Sequence, residues 1–235
     1  MSEKYTTEQL VQRFEDQRAI KNLMGKYANL VILNREGEIL EKFWSKSEAD
    51  LYLGFNDGSY KGRDAVKSYY DAEVERTTLV GKLLQKRFPE QLGGLSDEDL
   101  YGVGPFKVRP LACPVIEVAG DGKSAKGLWH CQGAYNNVES AGPVAYWTWG
   151  YFAVDFVKEK DDWKIWHLLY VNDVDSYCGK SWGKPYEKYP DLPEFAPLKD
   201  FKYPAYSEEK CIRRAMPPRC ARWTAPRPSL ARYRV

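Results

Sequence analysis

The stretch GYFAVDFVKEKDDWKIWHLLYV, residues 150–171, carries the clearest indication of the fold. Two runs rich in β-branched and aromatic residues flank the polar segment 158–162, a pattern typical of two antiparallel strands joined by a tight turn. Upstream, residues 113–118 and 124–135 have the same texture, and the polar segment 119–123 separates them. Together these runs predict an antiparallel meander over the second half of the domain.

The first third of the chain has a helical period instead. Between residues 7 and 34, large side chains recur at steps of three and four, which predicts a helix with one buried face: Ile20, Leu23, Met24, Tyr27, Leu30, Val31 and Asn34. Shorter helices are predicted at 39–44 and 63–70, with a short strand at 51–55 between them, and residues 74–88 are predicted either to extend the helix at 63–70 or to follow it. Because the helices precede a strand meander, the fold class is predicted to be α+β, with the helices on one face of a curled sheet.

The division of the chain follows its composition. Residues 1–180 are predicted to form one domain, and glycine-rich pieces at about 75–110 mark an insertion into it. Residues 183–235 hold nine of the 14 prolines, interleaved with aromatic residues and without any period. Residues 181–235 are therefore predicted to form an extended C-terminal arm that wraps the domain or a neighbouring subunit.

Charge and cysteine usage exclude several classes of protein. The net charge is +2, but the last 25 residues hold seven arginines and no acid, so residues 1–210 carry −5. This balance argues against a nucleic-acid partner, and the absence of a long apolar run argues against a membrane partner. A polar N-terminus and five cysteines without CxxC spacing favour a cytoplasmic protein. Neither a phosphate-loop pattern nor a zinc-type cluster occurs, so no metal and no cofactor are expected.

Three segments resemble the SnoaL-like branch of the NTF2-like superfamily over about residues 8–175. They are RAIKNLMGKY at 18–27, YKGRDAV at 60–66, and GYFAVDFV at 150–157 running into DWKI at 162–165. The resemblance implies an NTF2-like cone, in which a curved antiparallel sheet wraps over three N-terminal helices and encloses a ligand pocket. Members include dehydratases, polyketide cyclases, ketosteroid isomerases and non-catalytic binding or assembly domains.

Two candidate site residues lie on the first helix. Dehydratases of this family carry a tyrosine in this helix, and Tyr27 matches it; the resemblance implies that its phenol stabilises a substrate enolate. The alternative is a core tyrosine that is satisfied by a backbone partner. The dehydratases also carry an acidic residue at the end of this helix, where Asn34 stands here. Asparagine can donate a hydrogen bond but cannot accept a proton.

The two histidines are candidate general bases. His130 alternates with Trp129 along a predicted pocket strand, and the size of Trp129 favours the tryptophan facing inward. His167 is predicted to share a strand face with Trp163, Ile165 and Leu169, either as a pocket acid/base or as a satisfied structural histidine. The dehydratases have a further histidine in the strand that ends at Pro114, but this chain reads RPLAC at 109–113.

Asp155 is the remaining catalytic candidate. An isolated aspartate in an apolar strand would have a raised pKa and could act as a base; the alternative is a pairing with a lysine or arginine on the convex face. Candidate substrate-binding residues are apolar or sulfur-containing side chains of the expected pocket: Phe55, Trp129, Cys131, Phe152 and Leu169. A catalytic thiol at Cys131 is disfavoured, because its neighbour His130 points to the opposite strand face.

The favoured hypothesis is a cofactor-independent lyase (a dehydratase) or isomerase. Its substrate would be a mid-sized apolar compound with carbonyl and hydroxyl groups, such as a steroid, polyketide or polyphenol. The alternatives are a non-catalytic small-molecule-binding or assembly domain, and the small subunit of a ring-hydroxylating oxygenase. An aromatic stripe at 147, 149 and 151 predicts a homodimer or homotrimer. Tail arginines are expected to pair with acidic patches on the body or on a neighbour: Arg213, Arg214 and Arg219.

Overall fold

The computed structural model describes residues 5–140, 142–179 and 192–209. Its helices are α1 (Thr7–Ile32), α2 (Ile39–Phe43), α3 (Arg63–Arg87), α4 (Pro89–Leu92), α5 (Asp97–Leu100) and α6 (Pro197–Asp200), and single 3-10 turns cover Glu36–Glu38 and Pro193–Phe195. Its strands are β1 (Tyr52–Gly54), β2 (Gly58–Lys61), β3 (Phe106–Val108), β4 (Leu111–Val118), β5 (Ser124–Glu139), β6 (Gly142–Glu159), β7 (Asp162–Tyr177) and β8 (Glu208–Glu209).

In the described residues, the strands form a single curved sheet. The order is β3-β5-β6-β7-β1-β2-β8, and β4 lies beside β3 along the same edge of β5. Every neighbouring pair is antiparallel except β1 and β7, which run parallel. The long strands β5, β6 and β7 are the predicted meander, and α1 and α3 contribute the buried helix faces beneath them. The predicted fold class, an α+β cone of the NTF2-like type, is confirmed.

The first helix begins with a capping box and buries one face. Thr6 accepts a hydrogen bond from the Gln9 backbone, and the Gln9 side chain accepts one from the Thr6 backbone, so two otherwise unpaired amides are satisfied. The predicted helix continued to Asn34, but α1 ends at Ile32. Asn34 has a φ of 54°, a left-handed conformation that asparagine tolerates better than most residues and that turns the chain away from the helix axis.

The third helix is longer than the periodicity at 63–70 indicated, since it continues to Arg87. The predicted insertion therefore has a helical first part, and α4 and α5 follow it. The backbone carbonyl of Leu100 approaches Gly81 so closely that a Cβ atom at position 81 would lie 2.5 Å from its oxygen. Leu100 is fully buried at this contact, so α5 packs directly against the α3 backbone.

The described part of the arm, residues 192–209, lies against the domain. Phe195 is fully buried among Val80, Leu83 and neighbouring apolar side chains. Tyr206 packs against Tyr60, with 5.0 Å between ring centroids, and β8 extends the sheet beside β2. The expected pairing of Arg213, Arg214 and Arg219 falls outside the described residues. No helix in the described ranges is long and apolar enough to span a membrane.

A β-bulge in β7 changes which side chains face the core. Asp155 pairs with His167, but Phe156 pairs with Ile165, so Trp166 is an extra residue on β7. Trp163 and Ile165 are buried before the bulge, and Leu168 and Tyr170 are buried after it. The expectation that His167 shares a face with Trp163 and Ile165 is wrong, because the bulge lies between them and strict alternation does not pass through it. Leu169 follows the bulge and does share the face of His167.

Candidate functional site

A cavity lies between the inner face of the sheet and helices α1 and α3. The empty space within it, including the solvent at its open side, is about 580 Å³. Most of its wall is aromatic or aliphatic, and its polar residues are tyrosines, two glutamates, one lysine and one arginine. The lining residues that carry polar groups are Tyr27, Glu36, Tyr69, Tyr70, Glu73, Lys107, Arg109 and Tyr170.

The Tyr27 hydroxyl is held by a short relay of hydrogen bonds. The Trp44 indole nitrogen donates to the Tyr70 hydroxyl over 3.2 Å, and the Tyr70 hydroxyl is in turn bonded to Tyr27. Because Tyr70 accepts from Trp44, it can donate its own proton to Tyr27, which leaves the Tyr27 proton available to a ligand. Burial raises the pKa of Tyr27 to about 12, so this phenol keeps its proton at neutral pH.

A buried cluster of three charges forms another part of the wall. The Lys107 ammonium lies 2.9 Å from Oε1 of Glu36 and also donates to Oε2 of Glu73. Glu73 accepts two further hydrogen bonds, from Tyr69 on the same helix and from Tyr203 of the arm. The second oxygen of Glu36, Oε2, is buried and has no hydrogen-bond partner among the described residues.

The two carboxyl groups of this cluster differ in acidity. Burial raises the pKa of Glu36, although the charge of Lys107 opposes the rise. Burial would also raise the pKa of Glu73, but the charge and hydrogen bond of Lys107 and the hydrogen bond from Tyr203 outweigh it and lower that pKa. Two carboxyls whose environments push their pKa values apart are a common feature of acid–base sites. Glu36 is the one whose pKa lies above the ordinary value, so of the two it is the better suited to accept a proton.

Arg109 is a second cation of the cavity wall. It lies two residues beyond Lys107, just past the end of β3, and both side chains line the cavity. Its guanidinium carbon lies 4.7 Å from the centroid of the Tyr170 ring and 5.5 Å from that of Tyr135. Within the described ranges Arg109 forms no ion pair with a carboxylate, and its Nε is buried without an acceptor.

Three of the residues proposed from the sequence line this cavity: Tyr27, Phe55 and Phe152. Trp129 is packed in the core against Phe156, and Cys131 is buried where the pKa of its thiol is raised to about 11. Leu169 lies outside the cavity, because the bulge in β7 turns Leu168 inward in its place. The substrate-binding set is thus divided between cavity wall and packed core.

The other catalytic candidates lie away from the cavity. His130 is exposed on the outer face, as the inward orientation of its neighbour implied. His167 is buried on that face, with Nδ1 3.1 Å from Asp155 and Nε2 3.2 Å from the backbone oxygen of Asp50. The expected pairing of Asp155 with a lysine or arginine is wrong, because its partner is His167. Asn34 donates to the backbone oxygens of Gly102 and Pro105, so it holds the loop before β3.

Sequence reasoning missed four charged residues of the wall: Glu36, Glu73, Lys107 and Arg109. Because the segment from 75 to 110 is predicted to be an inserted loop, the spacing of Lys107 and Arg109 does not predict a site. Glu36 stands two residues after Asn34, close to where the resemblance implies an acidic residue, and this was an available signal. No group of three histidine, cysteine, aspartate or glutamate residues within the described ranges is arranged to hold a metal ion.

Comparisons with known proteins agree on the fold. The SnoaL-like domain family matches residues 12–168. Among solved structures, LinA is similar with a TM-score of 0.51 at 13% identity, over 75% of this chain and 99% of that one. The hexachlorocyclohexane dehydrochlorinase LinA-type3 from Novosphingobium barchaimii LL02 is similar with a TM-score of 0.50 at 12% sequence identity, over 74% of this chain and 99% of that one. An NTF2-like protein with a cystatin-like fold from Novosphingobium aromaticivorans has a TM-score of 0.45 at 15% sequence identity, over 74% of this chain and 92% of that one. No curated protein matches the sequence.

Proposed function

The chain belongs to the SnoaL-like domain family of the NTF2-like superfamily, and on that premise we propose that it is a cofactor-independent lyase or isomerase acting by proton abstraction next to a carbonyl group. The observation that carries the proposal is the asymmetric carboxyl pair in the cavity wall. Glu36 has a raised pKa and an oxygen that has no hydrogen-bond partner among the described residues, whereas Lys107 favours the ionised form of Glu73.

We assign the role of general base to Glu36. A carboxylate with an elevated pKa and a free oxygen is a stronger base than an ordinary exposed glutamate, and positioned general bases contribute about 10²–10⁴-fold to rate. His130 and His167 lie off the cavity, so the base role considered for them passes to Glu36. Asn34 and Asp155 have structural partners instead.

Tyr27 is proposed to stabilise the enolate. Glu36 takes the proton from the carbon next to the carbonyl, the C–H electron pair forms a C=C bond, and the carbonyl π pair moves to oxygen. The Tyr27 hydroxyl donates to that oxygen, while Tyr70 and Trp44 hold the phenol in place. In a dehydration the enolate then expels a β-hydroxyl group, which leaves as water with the proton from Glu36. In an isomerisation Glu36 returns the proton to a different carbon.

The wall favours a mid-sized, largely apolar substrate. Aliphatic and aromatic side chains cover most of the cavity, and they include Val31, Ile39, Phe152 and Leu168. A steroid-, polyketide- or polyphenol-like skeleton fits this character, and its carbonyl would lie between Glu36 and Tyr27.

The test is deuterium exchange, since it reads proton abstraction without a requirement for the correct leaving group. A panel of cyclic ketones and β-hydroxy ketones is incubated with the protein in D₂O, and exchange at the α-carbon is followed by mass spectrometry. Glu36→Gln should reduce exchange by about 10²-fold or more. Glu38→Gln, in the same 3-10 turn but paired with Arg35 and Lys42, is the matched control and should exchange at the wild-type rate.

Exchange by Glu36→Gln at the wild-type rate would remove Glu36 from the mechanism. No exchange across the panel, with ligands that still raise the melting temperature, would favour the alternative of a non-catalytic binding domain.

The domain is also proposed to assemble as a homodimer or homotrimer, because Trp147 is 45% exposed on the sheet. Light scattering at micromolar concentration should give a dimeric or trimeric mass, and a monomeric mass would contradict this.

A further inference from the structure

Arg109 has a different environment from the other buried cation of the wall. Lys107 is neutralised by two glutamates, whereas no carboxylate in the described residues lies within ion-pair distance of Arg109. Its Nε is fully buried without an acceptor. The nearest groups are the faces of Tyr170 and Tyr135, whose phenols are already engaged with Thr148 and Asp175.

This arrangement favours an anionic ligand over a neutral one. A buried charge without a counter-charge is unfavourable, and aromatic faces compensate it only in part. Contacts through the faces of a guanidinium leave its N–H edges free, and those edges match the two oxygens of a carboxylate. A single carbonyl oxygen needs fewer donors than Arg109 offers, and Tyr27 already supplies one to this cavity.

We propose that Arg109 binds a carboxylate of the ligand, so that the substrate is a mid-sized, mainly apolar carboxylic acid. The inference rests on the proposed function in that it takes this cavity as the substrate site. The apolar skeleton lies against Leu111 and Phe152, and the carboxylate lies at the guanidinium edge.

The charges of the wall also set the orientation of such a ligand. Glu36 and Glu73 share one lysine, so that part of the wall repels an anion, whereas Arg109 attracts it. Tyr27 and Glu36 line the same cavity as Arg109. In the proposed complex the carboxylate is held at Arg109, and the part of the ligand that exchanges its proton faces Tyr27 and Glu36.

The test compares matched carboxylates and carboxamides. Benzoate, 2-naphthoate and 1-pyrenecarboxylate, each with its neutral amide, are titrated into the full-length protein by calorimetry, and melting temperatures are measured in parallel. At least one carboxylate should bind the wild type about tenfold or more tighter than its amide, since hydrogen bonds to charged groups are the strong ones. Arg109→Met should abolish the difference, and Arg109→Lys should keep part of it, because lysine retains the charge without the fork.

Arg13→Met is the control for the loss of a half-buried arginine, since Arg13 bonds to the Val118 and Ala119 carbonyls outside the cavity wall. It should leave the preference unchanged. The proposal is overturned if no carboxylate binds at millimolar concentration, if acid and amide bind equally, or if Arg109→Met keeps the preference. These readouts involve binding alone. A carboxylate preference without deuterium exchange would sustain the inference while refuting the proposed catalysis, and exchange without the preference would do the reverse.

Discussion

Substitution of Lys107 by methionine tests the charge cluster at the centre of the cavity wall. The ammonium lies between Glu36 and Glu73, whose side chains are only 5% and 9% exposed. Methionine keeps the length and the apolar stem but removes the charge, so two carboxylates would face each other in a site where burial already disfavours ionisation. Breaking a buried ion pair by removing one partner costs about 3–5 kcal/mol. We expect Lys107→Met to lose a free energy of unfolding of this size at pH 8.

The loss should depend on pH with a definite sign. Without the lysine, the folded-state pKa of both carboxyls rises, that of Glu36 further above the ordinary value of 4.5 and that of Glu73 from its lowered value, because the opposing charge is gone and burial remains. A raised folded pKa stabilises the fold at low pH and destabilises it as pH rises towards that pKa. The variant should therefore lose up to about 1.4 kcal/mol per pH unit for each carboxyl that stays protonated in the folded state.

Urea unfolding followed by tryptophan fluorescence at pH 5, 6, 7 and 8 measures this dependence. Lys67→Met removes an exposed lysine that pairs with Asp71 one helical turn away, and it should cost less than about 1 kcal/mol at every pH. Adding Glu36→Gln and Glu73→Gln to Lys107→Met should flatten the pH dependence. A deficit of Lys107→Met that is the same at pH 5 and pH 8 would refute the reasoning, because lost packing rather than unpaired charge would then explain it.

Four further predictions concern the fold and the proposed chemistry. Tyr27→Phe should slow deuterium exchange by about 10²-fold with little effect on ligand binding. Exchange by the wild type should fall at acidic pH with a midpoint above pH 4.5, because Glu36 must be ionised to accept the proton. A midpoint below pH 4.5 would contradict the assignment of Glu36 as the base. His167→Leu should destabilise the fold by about 3–5 kcal/mol, since it leaves Asp155 buried without its partner, but should keep the exchange rate per folded molecule; loss of exchange in a folded variant would restore the histidine as the base. Phe195→Ala should cost about 3–5 kcal/mol in urea unfolding, and a negligible cost would show that the arm does not stabilise the domain.

The elements that could be predicted from the sequence are those that local periodicity specifies. The spacing of Ile20, Met24 and Tyr27 places them on one face of α1, and all three are buried there. The meander was visible because each strand is long and each turn polar. The face of His167 was not predictable, because a single extra residue in β7 shifts the alternation and the register with β6 is a long-range property.

The charged wall could not be predicted for a related reason. Lys107 meets Glu36 across 71 residues of sequence and Glu73 across 34, and no local pattern encodes those distances. A charged side chain in a sequence is read as exposed by default, since lysine and glutamate are seldom fully buried unless they are paired. The pairing that makes their burial possible exists only after α1, α3 and β3 have come together.

The early end of α1 links the departures from the family pattern. The resemblance implies an acidic residue at the end of this helix, and Asn34 stood near that place as a residue unable to take a proton. Because the helix ends at Ile32 and Asn34 turns the chain through a left-handed conformation, Glu36 is carried back to the cavity wall two residues later. The histidine that the dehydratases carry in the strand ending at Pro114 is absent here, and Arg109 is the first residue of the corresponding segment, 109–113. In the proposed site, Glu36 takes the place of the family's acidic residue. Arg109, a fixed cation, takes the place of the family's histidine, a neutral proton acceptor. The negative charge that leaves Glu36 on proton transfer would then develop on a substrate held between Tyr27 and Arg109, and the net charge of the cavity would not change during the reaction.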